Sequence, residues 1–353
     1  MRTATGFCMR AARLTISAAA VLMIGGPARM SGQIDVSKSG SAAATFLEIP
    51  VGARAIGMGG AFVSCADDAT SLYWNPAGAA LSSKTGFIAS HTDWIAGTKF
   101  DFAGLAIPLG LFGTIGASFT SLSVDDMKVR TVEQPEGTGE YFSAGDLAAG
   151  ITWARRMTDR FSIGFTAKYI HEAIWHESAN AFALDAGTWF QTDLFGGMTI
   201  GATIANFGTK MQMAGIDARQ YIRVDPSKTG TSDQIPSGIE MDSWDLPLLF
   251  QFGVSTNVLR MENYRWAVSA DALHPSDDHE SVNLGTEFSY QDFVFLRAGY
   301  QSLLLDQAEG GFSAGVGVAS GHMLSGMAVT FDYGYRDMGR LESIHVFSVG
   351  AQF

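Results

Sequence analysis

From Thr85 onward the chain is composed of segments of about ten residues in which apolar side chains recur at every second position. Phe161, Ile163, Phe165, Ala167 and Tyr169 fall on one face, with Ser162, Gly164, Thr166 and Lys168 on the other. Leu248, Phe250, Phe252 and Val254 oppose Gln251, Gly253 and Ser255 in the same way, and Phe331, Tyr333 and Tyr335 oppose Thr330, Asp332 and Arg336. A period of two is the repeat of a β-strand, whose successive side chains point to opposite faces. About fourteen such strands are predicted, near 85–95, 99–109, 112–122, 145–157, 160–174, 180–191, 197–206, 247–258, 263–272, 280–290, 292–301, 310–320, 325–335 and 343–353. Their connections alternate in length. Gly110-Leu111 and Met157 to Asp159 are short, whereas Ser123 to Ala144 and Gly208 to Asp245 are long. An even strand number with short turns at one end and long loops at the other describes a closed transmembrane barrel.

A soluble β-sandwich also alternates, but its polar face is solvated and rich in charge. Here the minority face is mostly Gly, Ser, Thr, Asn and Ala, with sparse charges at Lys168, Asp185, Asp271, Glu287, Arg297 and Asp332. Such residues fit a confined barrel interior packed around a plug, and a chain with 41 glycines and only 16% charged residues does not look like a helical enzyme. Trp94, Trp153, Trp175, Trp189 and Trp266 fall close to predicted strand ends, where interfacial girdles sit. A net charge of -12 without a basic stripe argues against nucleic acid as a partner.

The first residues read as an export signal. Arg2, Arg10 and Arg13 precede an apolar run, Leu14 to Ile24, that is too short to span a bilayer. Small residues near Ser31-Gly32 place cleavage around Gln33, so the expected organisation is a signal peptide at 1–33, an N-terminal hatch at 34–84 and a barrel at 85–353. Cys8 leaves with the signal, and Cys65 is then a single thiol, expected to be a buried small residue. No run of eighteen apolar residues follows, and membrane contact falls to the strands.

Ahead of the strands lies Ala53 to Leu81, a stretch of small residues. Gly57, Gly59 and Gly60 allow backbone to approach backbone. No P-loop lysine follows them, so a phosphate-binding loop is not indicated. Asp67 and Asp68 stand where the N-cap and first turn of a short helix, Ala69 to Trp74, are expected, and Asn75-Pro76 ends it. With Tyr73 and Trp74 this makes a compact plug. An unpaired guanidinium in a crowded lumen is costly, so Arg54 is expected to pair with Asp67 or Asp68 and lock the plug.

The block Phe46 to Ile49, Val51 to Ala61, Ala66 to Ala69 and Trp74-Asn75-Pro76-Ala77-Gly78 resembles the PorV/PorQ family, within the larger group of FadL-like outer-membrane proteins. The resemblance covers about forty residues, and the rest agrees in strand pattern. It implies a fourteen-stranded barrel with a lumenal hatch, in the outer membrane of a Gram-negative-type bacterium. It also implies a role in type IX secretion or surface attachment, with a translocon and the C-terminal domains of cargo proteins as partners. The final strand, with Phe347, Val349, Ala351 and the terminal Phe353 on one face, resembles the assembly signal read by the outer-membrane insertion machinery.

Other motifs point to no chemistry. His171 and His176 are five apart on a segment read as strand, which puts them on opposite faces and prevents a shared metal. Asp277, Asp278 and Glu280 do not match an EF-hand loop and read as a solvated acidic loop. No nucleophile, base and orienting group assemble, so neither an enzyme nor a cofactor is expected. Two functions remain: a partner-binding barrel acting through loops 123–144 and 208–245, and a FadL-like conduit for hydrophobic small molecules. A conduit needs a greasy path, and the inward faces read as small and polar.

Overall fold

The computed structural model describes residues 38, 40–223, 234–305, 310–320 and 327–353. The expected signal peptide at 1–33, the middle of the longest loop and residues 325–326 of the thirteenth predicted strand lie outside the described residues.

Fourteen antiparallel strands form one closed sheet, each paired with its neighbours in sequence. They are β1 (Gly86–Asp93), β2 (Lys99–Pro108), β3 (Thr114–Ser123), β4 (Ala144–Thr158), β5 (Phe161–Ile174), β6 (Glu177–Gln191) and β7 (Thr199–Gly208). Then follow β8 (Leu249–Arg260), β9 (Tyr264–Pro275), β10 (Ser281–Tyr290), β11 (Val294–Leu303), β12 (Phe312–Ala319), β13 (Ala328–Asp337) and β14 (Ser343–Gln352). Closure is by β1 on β14, in register from Gly86 opposite Gln352 to Asp93 opposite His345. Closure removes both sheet edges, so each strand has a hydrogen-bonding neighbour on either side. Every predicted strand is present, with ends shifted by a few residues at most.

The alternation read in the sequence becomes two surfaces. Outward residues are large and bare: Ile151 is 70% exposed, Phe182 65% and Phe331 55%. A belt of this kind is tolerated only against hydrocarbon. The expected tryptophan girdle is partly corrected. Trp153, Trp175 and Trp266 are exposed near strand ends. Trp189 instead shares the inward face of β6 with Asp185 and Gly187, and Trp94 packs on an apolar cluster inside the long-loop rim. The two-residue period of β6, not proximity to its end, decides where Trp189 points.

Residues 42–81 run through the lumen. The chain starts at the long-loop end, where Ala43 N–H donates to Asp245 O at 2.9 Å, and descends toward the short-turn end, where β1 begins. Its regular pieces are short: a 3-10 turn at Thr45–Glu48, helix α1 (Ala53–Gly57), helix α2 (Ser71–Trp74) and a second 3-10 turn at Pro76–Ala80. Helix α1 lies against β11–β14, while the second turn lies against β3–β6, so the segment touches opposite arcs of the wall.

Candidate functional site

What holds this plug differs from top to bottom. At the long-loop end Phe46, Leu47, Ile49 and Val51 are buried in one cluster with Phe100, Phe102 and Ile170, all inward-facing wall residues. The inward face is therefore not uniformly small and polar, as the sequence alone indicated. Its greasy part is covered by the chain's own N-terminal segment. Two aromatic side chains fix that segment's backbone: the Tyr73 hydroxyl lies 2.9 and 2.8 Å from the carbonyl oxygens of Leu47 and Ile49, and Trp74 Nε1 donates to Val51 O at 2.9 Å. Buried polar groups need such partners.

In the middle the plug is keyed to glycine. Inward-facing Gly164, Gly187, Gly201, Gly285 and Gly299 each leave room where a methyl would overlap plug atoms, from Pro76, Asn75, Val63, Met58 and Gly59 respectively. Gly57 meets Gly315 so closely that a Cβ on Gly57 would lie 3.0 Å from the Gly315 Cα. Wall hydrogen bonds reinforce these contacts. Asp271 accepts from the N–H groups of Phe62 and Val63 at 2.7 and 2.9 Å, and Trp189 Nε1 donates to Ser64 O at 3.0 Å. Asn75 Nδ2 donates to both Val63 O and Thr188 O, at 2.9 and 3.0 Å, while its Oδ1 accepts from Ala77 N–H and caps the turn begun by Pro76.

Toward the short-turn end the contacts become ionic. Arg54 Nη1 lies 2.6 Å from Asp67 and 3.1 Å from Asp68, and Arg54 Nε lies 3.0 Å from Glu287 on β10. Glu287 is 1% exposed and also receives Arg265 at 2.8 Å and Arg297 at 2.8 Å, with Arg297 reaching on to Asp332 at 2.6 Å. Burial alone would lower the Arg54 pKa, but Asp67, Glu287 and Asp68 outweigh it and hold the guanidinium charged. The structure thus brings Arg54, Asp67 and Asp68 together and adds Glu287, Arg265, Arg297 and Asp332. Three of these, Glu287, Arg297 and Asp332, were visible in the sequence as rare charges on the minority face.

This cluster forms part of the roof of a vestibule of about 790 Å³ that opens at the short-turn end. Cys65 lines it and is half-buried rather than fully buried, and burial pushes its thiol pKa well up, away from the reactive range. Asp67 and Asp68 do not cap α2. The helix begins at Ser71, and Asp68 accepts from Thr70 N–H at 2.8 Å through Oδ1 while its Oδ2 meets Arg54 at 3.1 Å.

The remaining predicted positions have separate surroundings. His171 on β5 meets Asn180 at 2.8 Å, whereas His176 lies in the following turn beside Asp217 at 3.1 Å. Asp277 is not solvated: it is 8% exposed and faces Glu48 of the plug. Phe353 is 60% exposed and pairs with Thr85 through two backbone hydrogen bonds of 3.0 Å at the barrel seam.

The long loops carry the other notable surface. Residues 209–248 include a hairpin of Arg219–Arg223 with Gln234–Gly238, on which Tyr221 is 72% exposed and Ile235 52% exposed. The 124–143 connection holds a smaller ladder, Met127–Lys128 with Tyr141–Phe142.

A closed fourteen-stranded barrel with a plugged lumen and an apolar outer belt defines a FadL-like outer-membrane protein of a Gram-negative-type bacterium. Residues 33–233 match the family of type IX secretion system protein PorV, over more than half the chain, and the protein belongs to that family. Among solved structures, it is similar to the Pseudomonas putida toluene transporter TodX, at 12% identity and a TM-score of 0.51, covering 86% of this chain and 97% of that one. The monoaromatic hydrocarbon channel CymD gives the same values. A FadL homologue from Pseudomonas aeruginosa aligns at 12% identity and a TM-score of 0.49, covering 86% and 98%. At these identities the likeness is one of fold. No curated protein matches the chain by sequence.

Proposed function

We propose that this protein is a non-enzymatic, partner-binding barrel that acts in type IX secretion or surface attachment through its long outer loops. The observation that carries this reading is the combination of a keyed plug with exposed apolar residues on the long loops. A lumen filled from Phe46 to Ala80 and clamped to the wall leaves the outer loops as the surface on which proteins can be met. Tyr221, Ile222 and Ile235, exposed on the ladder of Arg219–Arg223 with Gln234–Gly238, have the character of an interface core. In this reading residues 1–33 direct export, Phe353 and the final strand engage the insertion machinery, and Arg54 with Asp67 and Asp68 locks the hatch, supported by Trp74, Asn75 and Pro76. The partners are a translocon and cargo carrying shared C-terminal domains. Replacing residues 219–238 with a glycine-serine linker tests it in the native host. The barrel is expected to reach the membrane while cargo with those domains no longer co-purifies. Undiminished cargo association would sink the reading.

A second reading has one observation in its favour. Phe100, Phe102 and Ile170 form a greasy inner wall of the kind a hydrophobic conduit requires, and TodX and CymD are named as a toluene transporter and a monoaromatic hydrocarbon channel. Toluene flux into liposomes carrying the intact protein would favour it; flux appearing only after residues 42–51 are removed would show the path to be closed in the native chain.

A further inference from the structure

Arg54, Arg265 and Arg297 all meet Glu287 near the short-turn end. Arg336 does not. It lies on the inward face of β13, two residues beyond Gly334, whose added Cβ would touch Ala53 of the plug. Two residues of strand rise about 6.6 Å, so Arg336 stands above helix α1, on the long-loop side. Its side chain is half-buried, its Nε is out of contact with solvent, and that Nε has no hydrogen-bond partner. Among the described residues no carboxylate forms an ion pair with it. Its neighbour across β14 is Ile344, which is 1% exposed and offers no acceptor.

The two adjoining strands repeat the pattern. Ser313 on β12 is the direct register partner of Arg336, is 0% exposed, and its Oγ has no partner. Gln301 on β11 is 6% exposed, and its Oε1 also has none. The register places Gly299 opposite Ser313, so Gln301 is the next inward residue toward the long-loop end. Three adjacent strands thus present a guanidinium, a hydroxyl and a primary amide, each short of a partner, in one diagonal row. A buried polar atom without a partner costs free energy, and an unpaired cation costs more. Elsewhere in the lumen this chain meets that cost with protein carboxylates.

We propose that Gln301, Ser313 and Arg336 form a carboxylate-binding subsite at the long-loop end of the lumen. The guanidinium fork matches the two oxygens of a carboxylate, the Ser313 hydroxyl donates to it, and the Gln301 amide turns its NH₂ toward it. One cation balances one negative charge, which favours a carboxylate over a doubly charged phosphate. The plug lies below, so the carboxylate arrives from the long-loop side, either on a free small molecule or on an acidic side chain of a protein partner. The subsite does not depend on the cargo-binding role of the 219–238 hairpin.

The test uses the detergent-purified full chain and two probes: sodium propionate, followed by ligand-observed NMR, and an acetylated, amidated tetraglutamate peptide, followed by calorimetry. Saturable binding is expected, weakened about tenfold in Arg336→Gln and by a few-fold in Ser313→Ala. Arg160→Gln, at the opposite end of the barrel, is expected to leave it unchanged. Propionate binding assigns the subsite to free carboxylates; peptide binding alone assigns it to a partner's acidic side chain. Arg336→Gln is also expected to unfold no earlier than the parent without probe, since it removes an uncompensated cation, whereas a purely structural arginine would lower the transition. Absence of saturable binding to either probe, or binding equal in Arg336→Gln and the parent, overturns the proposal and assigns these atoms to water.

Discussion

The two ends of the lumenal plug are held by opposite physics. At the long-loop end Phe46, Leu47 and Ile49 sit against Phe100, Phe102 and Ile170, a non-directional contact whose strength follows buried apolar area. At the short-turn end Arg54 is fixed by named atoms of Asp67, Asp68 and Glu287, a contact that depends on geometry and is lost when one partner goes. The apolar seat tolerates small displacements, whereas the ionic clamp specifies a single position. In the proposed reading, a plug built this way is positioned from below and sealed from above.

The largest effect is expected from Glu287→Gln. It leaves Arg54, Arg265 and Arg297 facing one another without their shared carboxylate, a loss of about 3–5 kcal/mol for a broken buried pair. Thermal unfolding in detergent should fall accordingly. Cys65, the one cysteine among the described residues, should react faster with an impermeant maleimide as the roof of the vestibule loosens. Unchanged labelling would mean that the clamp does not position the plug.

Leu47→Ala probes the other end. Leu47 is 6% exposed, and truncating such a side chain costs about 2–3 kcal/mol where the site partly collapses. The loss should be local. Limited proteolysis near residues 42–51 should accelerate while Cys65 labelling stays at the parent rate. If both variants change both readouts alike, the plug moves as one body and the contrast between its ends is empty.

These two ends also differed in how far they could be read beforehand. The fourteen strands were legible because the wall separates hydrocarbon from a packed lumen, which writes a strict alternation into every strand. Arg54, Asp67 and Asp68 were legible as a group because they are close in the chain and their charges are rare there. Glu287 lies 233 residues from Arg54, and only the strand register puts it opposite, so its rarity on the inward face marked it without naming its partners. The apolar seat was hidden for another reason. Phe100 and Phe102 alternate with Asp101 and Ala103, and β2 reads as an ordinary strand whichever face is the lumen. The sign of the alternation at the long-loop end is set by Phe46 and Leu47, which a strand-by-strand reading leaves out. Trp189 differs: its inward face follows from the parity it shares with Asp185 and Gly187 on β6, and the plug only supplies the partner its indole finds there, Ser64 O.

The smallest predicted effect sharpens the comparison by adding a charge to the apolar end. Glu48 closes the first lumenal turn and faces Asp277 and Asp278 of the connection between β9 and β10, with Tyr73 nearby from α2. Burial first, then the two aspartates, push its pKa from the ordinary 4.5 up to about 7. The folded segment therefore prefers protonated Glu48. Its contribution to seating the segment is complete only below the ordinary value of 4.5 and is lost as pH rises from there through about 7, the reverse of a paired carboxylate. Between pH 6 and 8 the loss should be about 1 kcal/mol. Amide hydrogen exchange across residues 42–49, with the intrinsic pH dependence divided out, should show protection falling over that window while residues 53–57 hold theirs. Glu48→Gln should flatten the profile at the high-protection level. A profile that keeps its slope in Glu48→Gln would place the titrating group elsewhere and leave the upper seat purely apolar.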